Sequence, residues 1–173
     1  MNEIQEEEKR PTGLLVLFIL TTIYTSLKLL GAIGSLLSGP PNAQEMKLIK
    51  VEMAKSMKAA KDLNSEYLVD FIEKMGVISD ATLANFMLFN FLSFLFYGLG
   101  LAAAILMFKR MKLGFHLYIG YSFILLIQYY FIVSPSDVPL SLLIMEGLLS
   151  LLFIFLYSRY LNWMKVNEFE QVD

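Results

Sequence analysis

Residues 14–37 read LLVLFILTTIYTSLKLLGAIGSLL, an apolar stretch that carries one formal charge, Lys28. A helix rises about 1.5 Å per residue, so a run of this length crosses the roughly 30 Å hydrocarbon core of a bilayer. A lysine near its middle costs at least ~2.5 kcal/mol on insertion scales. The rest of the chain therefore has to bring it a partner. Away from the ends of the apolar runs there is one other formal charge, Glu146.

Three further runs follow, at 83–108, 113–133 and 140–161. The chain has 173 residues, 57% of them hydrophobic, and a mean hydropathy of +0.59. That is too apolar for a soluble domain of ordinary composition. The expected fold is all-α: a four-helix transmembrane bundle over residues 13–164, flanked by polar tails at 1–12 and 165–173. The first run is expected to be retained and not cleaved as a signal. It exceeds the about 7–15 apolar residues of a signal core, and Glu6, Glu7 and Glu8 precede it. A net charge of −2 implies no nucleic-acid partner. The absence of cysteine excludes disulfides and thiolate metal sites.

Between the first and second runs, residues 42–82 read as an extramembrane amphipathic helical segment. Asn42 followed by Glu45 has the spacing of a capping box. Met46, Ile49, Met53, Met57, Ala60, Tyr67, Phe71 and Met75 then recur at mostly three- and four-residue spacing, one apolar helical stripe. The turn-prone Asp62-Leu63-Asn64-Ser65 divides it into two helices. Residues 43–61 hold five lysines against two glutamates, and residues 62–75 one lysine against four acids. Such a stripe packs on the ends of the spans, or it offers a surface to a protein partner or to anionic lipid. Its methionines read as adaptable filler before they read as a Cu(I) site.

Small residues mark close helix approach, at Gly31 and Gly34 and in the pairs Gly98/Ala102 and Gly100/Ala104. The turn Lys109-Arg110-Met111-Lys112 is so short that the spans on either side must be antiparallel neighbours. Its three cations, adjacent to two spans, predict that it is cytoplasmic. Both termini then lie on that side too, in a plasma or bacterial inner membrane. Counting rise per residue from the opposite ends, Lys28, Asn90, Gln128 and Glu146 all fall about 8–13 Å deep, in one layer. Each span contributes one strong polar group to it. That layer is the candidate binding site, either a small-ligand or proton site or a structural clamp built on a Lys28–Glu146 ion pair; the third alternative is that Lys28 snorkels outward and pairs with nothing.

No catalytic or metal residues are assigned: HExxH, GxSxG and P-loop patterns are absent, and His116 has no second histidine. No cofactor is implied. The expected function is non-enzymatic, a small subunit or scaffold of a membrane complex using residues 42–82 for contact. The alternative is a small transporter or ligand-sensing protein with its polar site at Lys28 and Glu146.

Overall fold

A computed structural model describes residues 10–164. The tails expected at 1–12 and 165–173 fall outside the described residues, apart from 10–12. The described chain is all-α. Helix α1 (Thr12–Ser38) ends at Gly39, whose φ of 78° suits glycine, and Pro40-Pro41 cannot continue it. Helix α2 (Ala43–Asp62) starts with the capping box in place. Asn42 Oδ1 accepts from the Gln44 and Glu45 amides at 2.9 and 3.0 Å, and the Asn42 amide donates to Glu45 Oε2 at 2.8 Å. A turn at 63–65, with Asn64 at φ 50°, reverses the chain into α3 (Glu66–Ala84). The two helices form an antiparallel hairpin in which Met53 lies against Gly76.

Helix α4 (Phe86–Phe108) begins three residues after the expected boundary at Leu83. The reason is Asn85, whose amide donates to Ala81 O at 2.9 Å and competes with the helix backbone. Arg110, at φ 68°, makes the tight turn into α5 (Lys112–Ile127). The helix then tightens into a 3-10 turn, Gln128–Phe131, which satisfies terminal carbonyls by shorter-range bonds. A second 3-10 turn, Pro135–Asp137, leads into α6 (Leu140–Ser158). Among the described residues three helices are long and apolar enough to cross a membrane: α1, α4 and α6. The third expected span, 113–133, is split, and its α-helical part is 16 residues long.

Helix α1 packs along α4 and α4 along α5 in the two most extensive interfaces, while α6 touches α5 and α1 far more sparingly. Only 6% of the apolar window of α6 is buried, against 28% for α4. The two ends of the bundle differ accordingly. At the basic end, where the Lys109–Lys112 turn lies, Leu14, Met107, Tyr157 and Met164 are fully or almost fully buried. Residues 160–164 fold under this end, with Trp163 buried beneath the Arg110 guanidinium, 4.4 Å from its ring. Phe18 stacks on Phe108 at 4.1 Å, and the Arg10 guanidinium covers Phe108 from 3.6 Å.

At the hairpin end, α3 leans on the Pro135–Asp137 turn, and Ile78 and Val138 are buried there. Helix α6 is bare along most of its length, with Ile144, Met145, Leu148, Leu151 and Phe155 more than half exposed. The small residues are used selectively. Gly100 and Ala104 are buried, and a Cβ at Gly100 would press 2.7 Å into the Tyr121 ring. Gly98 faces open space and Ala102 is exposed, as helical rotation separates the two pairs. Gly31 and Gly34 also face open space, so the close approach expected there does not form.

Candidate functional site

Helices α1 and α6 meet at the basic end and part toward the hairpin end. Their meeting point is built from Thr21 and Tyr157, whose hydroxyls bond at 2.9 Å, and from Gly13, which lies directly under the Tyr160 hydroxyl. Thr25 closes this face of α1 by donating to Thr21 O at 2.7 Å, the back-bond that a buried threonine makes on a helix. Beyond Tyr157 the two helices enclose a cavity of about 310 Å³. That is near the small end of the range for ligand pockets. Leu20, Tyr24 and Leu149 form its rim and are about half exposed, at 50%, 49% and 53%. Tyr118, Tyr121, Ser122 and Gln128 form its buried floor.

Glu146 lines this cavity from α6. The Tyr129 hydroxyl donates to its Oε1 at 3.3 Å, while its buried Oε2 has no hydrogen-bond partner. The Tyr121 hydroxyl, on a side chain 3% exposed, is likewise buried without a partner. Two orphaned polar groups beside one cavity are costly in an apolar setting, where each lost partner amounts to about 1–3 kcal/mol.

The layer inferred from depth is divided. Gln128 and Glu146 share the cavity, whereas Lys28 and Asn90 do not line it. Asn90 turns its amide back to Phe86 O, 2.8 Å away on its own helix. Lys28 continues the inner stripe of Thr21, Thr25 and Ala32 by spacing, yet it is exposed. Its ammonium stands 5.9 Å from the Tyr24 ring centroid. The ion pairs among the described residues are Lys55–Glu52 and Lys74–Asp70, both on the exposed hairpin, so Lys28 and Glu146 are not bonded. The expected clamp is missing because Lys28 lies exposed on α1 while Glu146 lines the cavity. Counting rise along each axis cannot register which way a side chain turns.

Sequence reasoning also overlooked the tyrosines as a set. Tyr24, Tyr97, Tyr121, Tyr118 and Tyr157 form a chain of ring contacts through α1, α4, α5 and α6, with centroid separations of 6.1, 6.4, 5.7 and 5.0 Å. The signal was legible: tyrosine favours membrane interfaces, and Tyr24, Tyr97 and Tyr121 each sit well inside an apolar run. A second hollow, about 600 Å³, lies at the hairpin tip among the exposed Lys61, Glu66, Asp70 and Glu73. It is a dip in a solvated surface and positions no buried group. His116 is exposed at the basic end, its Nδ1 3.1 Å from Lys112 O. No protein-family model matches the chain, and neither the curated proteins nor the solved structures give a match.

Proposed function

We propose that the chain is a four-span membrane protein that takes a small ligand into the cleft between α1 and α6, acting as a carrier or sensor. Three of the spans are the long apolar helices α1, α4 and α6. The fourth is α5 together with its 3-10 extension. Sixteen α-helical residues supply about 24 Å, and four 3-10 residues supply about 8 Å more, enough for the hydrocarbon core. The basic end, with Arg10, Lys109, Arg110, Lys112 and Arg159, is cytoplasmic on this reading, and the α2–α3 hairpin is outside.

The observation that carries the ligand reading is Glu146, one oxygen on Tyr129 and the other unpartnered, at the wall of a cavity with a half-exposed rim. Intramembrane carboxylates are expensive and mark ligand or ion pathways more often than not. A structural clamp would instead show the carboxylate saturated by Lys28. Nothing in the site resembles catalytic machinery, and the reading is non-enzymatic.

The native chain has no cysteine, which makes single-cysteine labelling direct. Lys58→Cys and Ser136→Cys should react with an impermeant maleimide from one side, and Lys112→Cys from the other. Ser122 and Ser93 are both buried serines, but only Ser122 lines the cavity. A lipid-soluble maleimide should therefore label Ser122→Cys well ahead of Ser93→Cys. Equal rates would remove the cleft, and Ser136 and Lys112 labelling from the same side would remove the fourth span.

A second reading keeps the scaffold role and places it on the hairpin. Leu48, Leu63 and Tyr67 are 61%, 69% and 62% exposed there, apolar groups that a protein partner would cover. Crosslinking from Leu48 in native membranes tests it, and recovery of uncrosslinked chain alone would count against it.

A further inference from the structure

The geometry points to the chemical class of the ligand. It is a small organic cation, an alkyl- or arylammonium, that reaches the cleft from within the bilayer and sets its charge between Glu146 and the rings of Tyr24, Tyr97 and Tyr121. This rests on the ligand-cleft reading above and makes it specific.

Charge comes first. Glu146 is the one formally charged residue lining the cavity, and one of its carboxyl oxygens has no hydrogen-bond partner. An anion would meet that group with no cation on the wall, since Lys28 does not line it. An ammonium supplies the counter-charge that an ionised Glu146 lacks there. Ring chemistry agrees. Tyr24 and Tyr97 meet at 76° and Tyr97 and Tyr121 at 65°, so successive rings stand nearly edge to face. Several tyrosines around one small volume, with a carboxylate among them, form the kind of aromatic cage that favours quaternary ammonium groups. Metal ions fit poorly. Hard cations take about six to eight oxygen ligands and favour carboxylates and carbonyls, and this wall offers one carboxylate and one amide, its other polar groups being neutral hydroxyls beside Leu125 and Phe153.

The route follows from exposure. Leu20, Tyr24 and Leu149, the half-exposed rim, lie on helices whose outer faces are apolar, so the mouth opens sideways to lipid. An amphiphilic cation that partitions into the membrane arrives at that mouth. Lys28 is the nearby competitor: its ammonium stands 5.9 Å from the ring of Tyr24, a residue of the rim. Removing Lys28 should tighten cation binding, and neutralising Glu146 should weaken it. A merely structural role for either residue predicts no such opposed pair.

The test compares benzyltrimethylammonium with its uncharged isostere, neopentylbenzene, on the full chain in nanodiscs, with empty nanodiscs as the partition control. Ligand-observed NMR titration reads both. The cation should bind at least roughly tenfold tighter than the isostere. Glu146→Gln should bring the ratio down to about one, and Lys28→Met should raise cation affinity several-fold. The wild-type comparison needs no variant. Should Glu146→Gln fail to fold, Tyr24→Leu takes its place and should cut the ratio several-fold. If both probes bind equally, the ligand cleft stands and the cationic class is overturned. If neither binds beyond the partition control, the ligand-cleft reading falls and this inference with it.

Discussion

The basic end and the hairpin end of the bundle are made from the same helices and packed to opposite degrees. At the basic end α1, α4, α5 and α6 converge, and aromatic and sulfur-bearing side chains fill the space between them: Tyr118, Tyr157, Met107, Trp163 and Met164. Thr21 is paired there with Tyr157, while the indole N–H of Trp163 is buried without a partner. Toward the hairpin end lies the cavity, where Glu146 and Tyr121 are left with unmet hydrogen-bonding capacity. Lipid hydrocarbon covers leucine as well as a protein interior does, so nothing pulls bare apolar helix faces together in a bilayer. Helices close where side chains interlock or hydrogen bond. The basic end has both devices, and the α1–α6 seam at the hairpin end has neither. Close packing is concentrated in one half, and the cavity lies in the other.

The largest expected effect lies at the closed end. Tyr157→Ala removes a fully buried ring, and with it the contact to Tyr118 and the bond to Thr21. It should cost about 3–5 kcal/mol in reversible unfolding from mixed micelles. A loss below about 1.5 kcal/mol would mean that the basic end is not what holds the bundle.

Gly114→Ala comes next. The added Cβ would stand 2.5 Å from Met107 N and 2.7 Å from Ala103 O, backbone atoms that cannot rotate away. We expect a loss of about 1–3 kcal/mol. The paired control is Gly98→Ala, which meets open space and should be neutral or better. Equal losses at the two glycines would contradict the tight α4–α5 seam.

Thr21→Val leaves the Tyr157 hydroxyl without its partner and should cost about 0.6–1.7 kcal/mol, the range for interhelical hydrogen bonds in membranes. A neutral result would show that the α1–α6 junction is held by packing alone. The smallest effect belongs to the open end. Leu148→Ala, at a side chain 62% exposed, should change stability by less than about 0.5 kcal/mol. A loss as large as that of Thr21→Val would show α6 to be packed there after all, and the comparison between the two ends would collapse.

Much of this architecture could be read from the residues. The four apolar runs, the Gly39-Pro40-Pro41 stop, the Asn42–Glu45 capping box and the break near Asn64 all depend on local chemistry, and the structure places an element or a turn at each. The division of the third run was not legible. Switching from α to 3-10 at Gln128 changes which carbonyl each amide reaches and leaves the apolar pattern intact. Gln128 and Glu146 were legible as candidates because a strong polar group in an apolar run demands an explanation, and both line the cavity. Lys28 and Asn90 satisfied the same criterion and went elsewhere, one outward and one onto its own backbone.

The sequence by itself determined that α1, α4 and α6 are helices long and apolar enough to cross hydrocarbon, because that follows from hydrogen bonds closed within four residues and from unbroken apolar runs. Only the tertiary structure decided rotation and splay: which side of each helix meets a neighbour, and that α6 leaves α1 beyond Tyr157. Those are properties of pairs of helices, set by interlocking side chains far apart in the chain, such as Gly13 under Tyr160 and Gly100 against Tyr121. A depth count along one axis puts Lys28 level with Glu146. In the structure Lys28 is exposed and Glu146 lines the cavity.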